Sequence, residues 1–187
     1  MFIVFEGIDG SGKSSVIARL KESLEASGKK VMVTAEPTGS DIGKYISVTD
    51  GLSPETEALL FTADRAMHTE QIAKWMDEGY VVLCDRYFAS TLAYQSAAGM
   101  DMDWLKAINS GVIIRPDITI LMDIDPEVSL KRVSQRGEMS RFEKLDYLRK
   151  VRQAYLDIGR EFGFKVVDAD RDRDTVAKDV ISIVGGI

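Results

Sequence analysis

The chain has 187 residues, 45% of them hydrophobic, which is enough to bury one core, and we predict a single domain over residues 1–187. The 30 acidic side chains outnumber the 24 basic ones, and the net charge of −6 argues against a general nucleic-acid or membrane binder. The single cysteine and single histidine exclude internal disulfides and metal sites built from several Cys or His residues.

Short apolar runs alternate with helix-like segments along the chain. The runs are rich in Val and Ile and predict five strands at 2–5, 30–34, 80–84, 118–123 and 165–168. Helix signals predict helices at 13–27, 54–78, 126–136, 142–162 and 173–184. Nearly all residues of the runs are apolar, so we expect an α/β fold with a doubly wound parallel five-stranded sheet, covered by helices on both faces. No apolar run approaches the roughly 18 residues of a membrane span, and a cytoplasmic location is expected.

A phosphate-binding loop follows the first predicted strand. Residues 7–14 have the sequence Gly-Ile-Asp-Gly-Ser-Gly-Lys-Ser, which fits the pattern G-x-x-x-x-G-K-S/T between a strand and a helix. The glycines let backbone N–H groups surround a phosphate, and the helix directs its positive end at the same anion. Lys13 is predicted to reach the β- and γ-phosphates of ATP, and the Ser14 hydroxyl to bind Mg²⁺. The predicted ATP-binding residues of this segment are Gly7, Asp9, Gly10, Ser11, Gly12, Lys13, Ser14 and Ser15.

The third strand and the asparagine content narrow the class of phosphate-loop protein. The only asparagine is Asn109, followed by Ser110, so the Asn-Lys-x-Asp guanine reader of GTPases is absent. Asp85 ends the third strand, where a second carboxylate of a magnesium site belongs. Arg86 follows it, where many ATP hydrolases have a water-activating Glu, and an arginine suits a second phosphate. A kinase, which must exclude water, is therefore favoured.

Five sequence blocks, in order, resemble the thymidylate kinase family over residues 2 to about 143. They are residues 5–14, Glu36-Pro37, residues 60–65, Asp85-Arg86-Tyr87 with Ser90 and residues 93–95, and residues 136–143. The resemblance implies a phosphoryl transfer that depends on ATP and Mg²⁺, from ATP to dTMP, giving dTDP and ADP for nucleotide biosynthesis. It also implies a homodimer, with ATP and dTMP as small-molecule partners.

The resemblance assigns roles in an acceptor pocket. Asp9 would bind the sugar 3′-hydroxyl, Phe61 would stack on thymine, and Arg65 would donate to thymine O4, an atom that only accepts hydrogen bonds. Arg86 would bind the acceptor phosphate, and Tyr94 would crowd the sugar 2′ position. The implied substrate-binding residues are Asp9, Glu36, Phe61, Arg65, Arg86, Ser90, Tyr94 and Gln95.

Four of these residues also have a purely structural interpretation. Phe61 and Tyr94 could fill the core, since neighbouring positions on their helices are apolar. Arg65 could pair with Asp64 or Glu57 on a solvated helix face, and Asp9 could belong to a solvent-facing turn.

A basic segment at about 134–143 is predicted to close over the site as a lid. Arg136 and Arg141 flank Gly137 there, and cations in a closed, dry site stabilise charge on a moving phosphoryl group. The predicted catalytic residues are Lys13, Arg86, Arg136, Arg141 and Asp9. By resemblance, adenine would lie between Arg132 and the loop at 168–170. The alternative is a solvated basic helix paired with Glu138 and Glu143.

One departure from the family pattern bears on the acceptor phosphate. Ala35 precedes Glu36, where family members often have an arginine, so one possible phosphate ligand is missing. Two other functions stay open: a small phosphate-loop kinase for another nucleoside monophosphate or a small metabolite, and an ATP-binding regulatory module without acceptor chemistry.

Overall fold

A computed structural model describes residues 1–134 and 145–186. Its five strands are β1 (Phe2–Glu6), β2 (Lys30–Ala35), β3 (Tyr80–Asp85), β4 (Ile118–Asp123) and β5 (Lys165–Asp168). They form one sheet in the order β2-β3-β1-β4-β5, and every neighbouring pair is parallel. The predicted doubly wound α/β fold is confirmed.

Eight helices lie in the described residues and flank the sheet. They are α1 (Lys13–Ala26), α2 (Asp41–Val48), α3 (Pro54–Asp77), α4 (Phe88–Ala97), α5 (Met102–Ser110), α6 (Pro126–Ser134), α7 (Leu145–Phe162) and α8 (Arg173–Gly185). Side-chain caps fix several starts: Ser53 accepts from the Thr56 N–H ahead of α3, and Asp101 accepts from the Trp104 N–H ahead of α5. No helix among these residues is long and apolar enough to cross a membrane.

The expectation that all five strands are covered on both faces is wrong for the two edge strands. The central strand β1 is buried at every position. In contrast, Val33 of β2 is 44% exposed and Val166 of β5 is 51% exposed. An edge strand has a neighbour on one side only, so apolar composition alone does not predict its burial.

The strand order locates the site. The chain leaves β1 toward β2 on one side, and later passes from β3 to β4 on the other side of β1. A crevice therefore opens at the carboxyl end of β1, which is where ligands bind in open parallel sheets. The register pairs Phe5 with Asp85 of β3 and with Ile120 of β4. The loops that follow these strands therefore converge at this edge.

Candidate active site

The phosphate loop lies between β1 and α1, the context that its sequence motif requires. Gly7, Gly10 and Gly12 have φ angles of +135°, +76° and +92°, a region that favours glycine. A Cβ at Gly10 would lie 2.8 Å from the Ser129 carbonyl oxygen of α6. The loop therefore needs glycine both for its backbone conformation and for its close packing on α6.

The Lys13 side chain folds back across the loop. Its Nζ donates to the Gly7 carbonyl at 3.0 Å and to the Ile8 carbonyl at 3.3 Å, and it lies 3.9 Å from Asp85 Oδ1. Burial lowers the pKa of Lys13 to about 8, and the positive charge of Arg86 lowers it further. The nearby carboxylates raise it but do not offset these effects. The ammonium group thus donates to two neutral carbonyls and lies at an anion-binding loop.

Ser14 and Asp85, the predicted magnesium ligands, are adjacent. Ser14 Oγ donates to Asp85 Oδ2 at 3.1 Å, and Asp85 Oδ1 has no hydrogen-bond partner among the described residues. A hydroxyl and one carboxylate, completed by water and phosphate oxygens, fit the octahedral oxygen shell of Mg²⁺. Within residues 1–134 and 145–186 no group of three or more His, Cys, Asp or Glu side chains is placed to hold a metal ion.

All the substrate-binding residues named from the sequence line one cavity of about 170 Å³. It adjoins a larger cavity of about 570 Å³ at the phosphate loop, which Lys13 and Ser14 line. Asp9, Glu36 and Arg86 line both cavities. The two spaces therefore meet at one arginine and two carboxylates.

Arg86 lies at this junction in a constrained conformation. Its φ of +68° is left-handed, and its N–H donates to the Phe5 carbonyl at 2.8 Å, which fixes the turn after β3. The guanidinium Nη1 donates to Ser90 Oγ at 3.2 Å and to Tyr155 Oη at 3.3 Å, and the Tyr94 ring centroid lies 5.2 Å away. These contacts hold the cation at the mouth shared by the two cavities.

Asp9 is the ionic partner of Arg86. Its Oδ1 accepts from Arg86 Nη2 at 2.5 Å. Burial works against its charged form, but the positive charges of Arg86 and Lys13 outweigh that cost and lower the pKa of the Asp9 carboxyl. Asp9 is therefore held as a carboxylate within the phosphate loop. Its side chain is about half exposed in a turn, as the solvent-facing alternative expects, but it is also the ionic partner of Arg86.

Arg65 is 1% exposed, deep in the smaller cavity. Its Nε and Nη2 lie 2.9 and 2.7 Å from Glu36 Oε2, Nη2 donates to Thr91 Oγ1 at 3.0 Å, and Nη1 donates to Asn109 Oδ1 at 2.5 Å. The interpretation of Arg65 as a solvated-face residue is wrong, because the guanidinium is buried and pairs across elements. Glu36 Oε1 also accepts a hydrogen bond from His68 Nδ1 at 2.9 Å.

The two acidic residues near Arg65 on the same helix, Asp64 and Glu57, bind other partners. Asp64 accepts from the Thr38 N–H at 2.7 Å and from the Thr38 and Ser40 hydroxyls, both at 2.6 Å, and so ties the loop after β2 to α3. Glu57 accepts from Gln95 Nε2 at 3.1 Å. The Glu36-Pro37 peptide bond of the same loop is cis.

Gln95 and Phe61 complete the wall of the cavity. Gln95 is 2% exposed, and its Oε1 has no hydrogen-bond partner within the described part of the chain. Phe61 is only half-buried and is absent from the hydrophobic core, so its core interpretation is wrong. Tyr94 is both a core residue and a lining residue, with its Oη 3.4 Å from Arg86 Nη2.

Glu6, the last residue of β1, is a buried carboxyl that sequence reasoning missed. It accepts hydrogen bonds from the N–H groups of Tyr87 and Ser90 at 2.9 and 3.2 Å, from Ser90 Oγ at 2.6 Å, and from Tyr155 Oη at 3.1 Å. Burial raises its pKa to about 7, although these bonds and the Arg86 charge oppose the shift. An acidic residue that ends an otherwise apolar central strand was the available signal.

This carboxyl predicts a pH dependence of stability. The folded-state pKa of about 7 exceeds the ordinary value of 4.5, so the contribution of Glu6 to stability is complete below 4.5 and is lost as the pH rises through 7. We expect Glu6→Gln to flatten the fall in unfolding free energy between pH 5 and pH 8 by a few kcal/mol at most, roughly 1.4 per pKa unit. Urea unfolding at pH 5 and at pH 8 gives the unfolding free energy of each protein at both pH values. Glu22→Gln, at an exposed position of α1, should keep the wild-type slope, and an equal slope in Glu6→Gln contradicts the assignment.

Arg132 connects α6 to the loop after β5. Its Nη1 donates to the Ala169 carbonyl at 3.0 Å and to the Gly10 carbonyl at 3.5 Å, and its Nη2 lies 3.6 Å from Asp170 Oδ1. Arg132 thus contacts this loop directly, and the adenine position between them stays a prediction. The predicted lid arginines, Arg136 and Arg141, lie outside the described residues.

Comparison with known proteins agrees with this geometry. The sequence model of the thymidylate kinase family matches residues 5–180. Probable thymidylate kinases from Pyrobaculum calidifontis and Archaeoglobus fulgidus are 43% and 44% identical to the chain, over 98% of its length and 95% and 94% of theirs. A probable thymidylate kinase from Pyrococcus horikoshii is 45% identical, over 98% of this chain and 95% of that protein. The chain therefore belongs to the thymidylate kinase family.

Proposed function

We propose that the chain transfers the γ-phosphoryl group of ATP to dTMP, giving ADP and dTDP. The observation that carries this proposal is the junction of two cavities at Arg86 and Asp9. ATP phosphates in the larger cavity would meet Lys13, and an acceptor phosphate entering from the smaller one would meet Arg86. Phosphoryl transfer needs little more than such positioning and charge stabilisation, because the protein forms no covalent bond to the moving group.

The polar groups of the smaller cavity fit thymine. Arg65 can only donate hydrogen bonds, which suits the O4 acceptor of thymine, and the unpartnered Gln95 Oε1 can accept from the N3–H donor. Cytosine reverses both groups, with an amino donor at position 4 and an acceptor at N3. Phe61 offers a half-buried ring for stacking, which adds affinity with little base identity. Tyr94 would restrict the space at the sugar 2′ position.

Charge stabilisation would come from several cations. Ser14 and Asp85 would hold Mg²⁺, which would offset the charge of the donor phosphates. Lys13 would stabilise the negative charge that develops on the β–γ bridging oxygen during transfer. Arg136 and Arg141 remain predicted contributors from the lid, and Arg132 a predicted neighbour of adenine.

A substrate panel tests the proposal. ADP release should depend on dTMP, with kcat/KM for dUMP lower by about 10–200-fold, because only the contact with the thymine methyl is lost. The penalty for dCMP should be larger, because two buried polar groups would face mismatched partners. A coupled ADP assay with dTMP, dUMP, dCMP and no acceptor measures this. Equal use of dCMP and dTMP indicates a general nucleoside monophosphate kinase, and ADP release that ignores the acceptor indicates a regulatory ATP-binding module.

We also propose a homodimer, formed through α3. Leu59, Ala63 and Met67 of this helix are exposed and follow one another at spacings of four residues, which places an apolar stripe along one side. Sedimentation equilibrium of the protein gives its mass in solution, and a monomer mass at micromolar concentration contradicts the proposal.

A further inference from the structure

The guanidinium group of Arg65 is held by three neighbours, and each of its three nitrogens donates one hydrogen bond to one of them. Glu36 Oε2 accepts from Nε at 2.9 Å and lies 2.7 Å from Nη2 as its ion-pair partner. Thr91 Oγ1 accepts from Nη2 at 3.0 Å, and Asn109 Oδ1 accepts from Nη1 at 2.5 Å. Among the described residues this leaves one N–H on Nη1 for a ligand in the cavity.

Asn109 is the residue that holds Nη1, the nitrogen that carries this remaining N–H. Glu36 and Thr91 grip the other two nitrogens, on the far edge of the guanidinium. Without an acceptor at position 109, the Nη1 edge would have no protein partner among the described residues, and its second hydrogen would compete for the ligand. Asn109 therefore determines how many N–H groups face the cavity and in which direction.

The Asn109 amide is itself fixed. Its Nδ2 donates to the Leu105 carbonyl at 2.8 Å, one turn earlier on α5, so its Oδ1 must face the arginine. The side chain is buried, and it does not line the cavity. It also lies outside the five sequence blocks that resemble the family. Any effect of Asn109 on a bound base must therefore pass through Arg65.

We propose that Asn109 is a positioning residue for base selection: its Oδ1 holds Arg65 Nη1 so that a single N–H is directed at an acceptor on position 4 of a pyrimidine. This inference rests on the proposed thymidylate kinase reaction. A pyrimidine with an amino donor at that position gains nothing from the fixed N–H, whereas a pyrimidine with a carbonyl does. The consequence is a preference that depends on Asn109 only while Arg65 is present.

A double-mutant cycle separates this role from a general effect on folding. The measured quantity is the ratio of kcat/KM for dTMP to that for dCMP, in the wild type, Asn109→Ala, Arg65→Ala and the double variant. We expect Asn109→Ala to lower the ratio by about tenfold, from the loss of a hydrogen bond to a charged group. In the Arg65→Ala background the same change should alter the ratio by less than about twofold.

Two comparisons guard the interpretation. Ser110→Ala changes an exposed neighbour whose hydroxyl donates to the Ala107 carbonyl, and it should leave the ratio at the wild-type value. Asn109→Leu fills the site without an acceptor and should lower the ratio as Asn109→Ala does. It is the second test if the Asn109→Ala protein does not fold. An equal fall for both substrates, or the same fall with and without Arg65, shows a structural role only and overturns the inference.

The wild type distinguishes failure of this inference from failure of the proposed reaction. A wild type that prefers dTMP over dCMP, combined with an unchanged ratio in both Asn109 variants, refutes the positioning role alone. A wild type with no preference for dTMP refutes the proposed function, and the inference that rests on it.

Discussion

Lys13→Met should lower kcat for dTMP phosphorylation by about 10³-fold or more while the protein remains folded. The Lys13 ammonium group donates to two loop carbonyls at 3.0 and 3.3 Å, so it is already oriented before a phosphate arrives. It is 6% exposed, and a cation in such a dry site interacts with developing phosphate charge far more strongly than it would in water. Methionine has a similar length but neither charge nor donor.

The variant should keep its stability, which makes the kinetic result interpretable. Burial disfavours the ammonium form, as the lowered pKa of Lys13 indicates, so an apolar side chain of similar length removes that cost. Thermal unfolding without ligands should give a midpoint no lower than that of the wild type. Lys21→Met, on the same helix at an ion pair with the exposed Glu25, is the matched control and should leave kcat unchanged. Turnover within tenfold of the wild type in folded Lys13→Met contradicts the proposed mechanism.

Local patterns predicted the strands and the long helices well. The apolar runs at 118–123 and 165–168 coincide with β4 and β5, and Pro54 begins α3 as its position in a first turn requires. The shorter helices α2 and α5 were not predicted. Their caps, Ser40 and Asp101, were visible in the sequence, but eight or nine residues give a weak periodic signal.

The site was predictable only where one sequence block carries the chemistry. The phosphate loop, Asp85 and Arg86 each follow a strand directly, and parallel strands bring their carboxyl ends together. The partners that hold other polar groups of the site, such as Arg65 and Glu6, were not predictable. Asn109 meets Arg65 across 44 positions and Tyr155 meets Glu6 across 149, and no local pattern encodes such contacts.

The same distinction explains why the surroundings of Arg65 were wrongly anticipated. Spacing along α3 correctly placed Phe61 and Arg65 toward one cavity. The candidate partners considered from the sequence, Asp64 and Glu57, were near neighbours on the same helix. The actual partner, Glu36, comes from the loop after β2. A buried guanidinium must be paired, and here the tertiary fold brings an acidic side chain from another element next to it.

The second large effect is expected at Arg86. Arg86→Met should lower kcat/KM for dTMP by about 10²–10⁴-fold, because two hydrogen bonds to a charged phosphate are each worth roughly 1.5–3 kcal/mol. The left-handed backbone at this position is equally unfavourable for arginine and methionine, so the substitution adds no new strain there. Its loss would also leave the Asp9 carboxylate without its 2.5 Å ionic partner beside the incoming phosphate, where like charges repel.

Arg86→Lys distinguishes charge from geometry at this junction. Lysine keeps the positive charge but lacks the planar fork that binds phosphate through two parallel bonds, so its kcat/KM should fall between those of the wild type and Arg86→Met. Arg149→Met removes an exposed arginine of α7 that pairs with Glu127 and Asp146 at the surface, and it should leave kcat/KM for dTMP unchanged. Steady-state kinetics with dTMP varied at saturating ATP measures all three variants. If Arg86→Met retains kcat/KM within tenfold of the wild type, the acceptor phosphate does not bind Arg86, and the junction of the two cavities is not where the phosphoryl group moves.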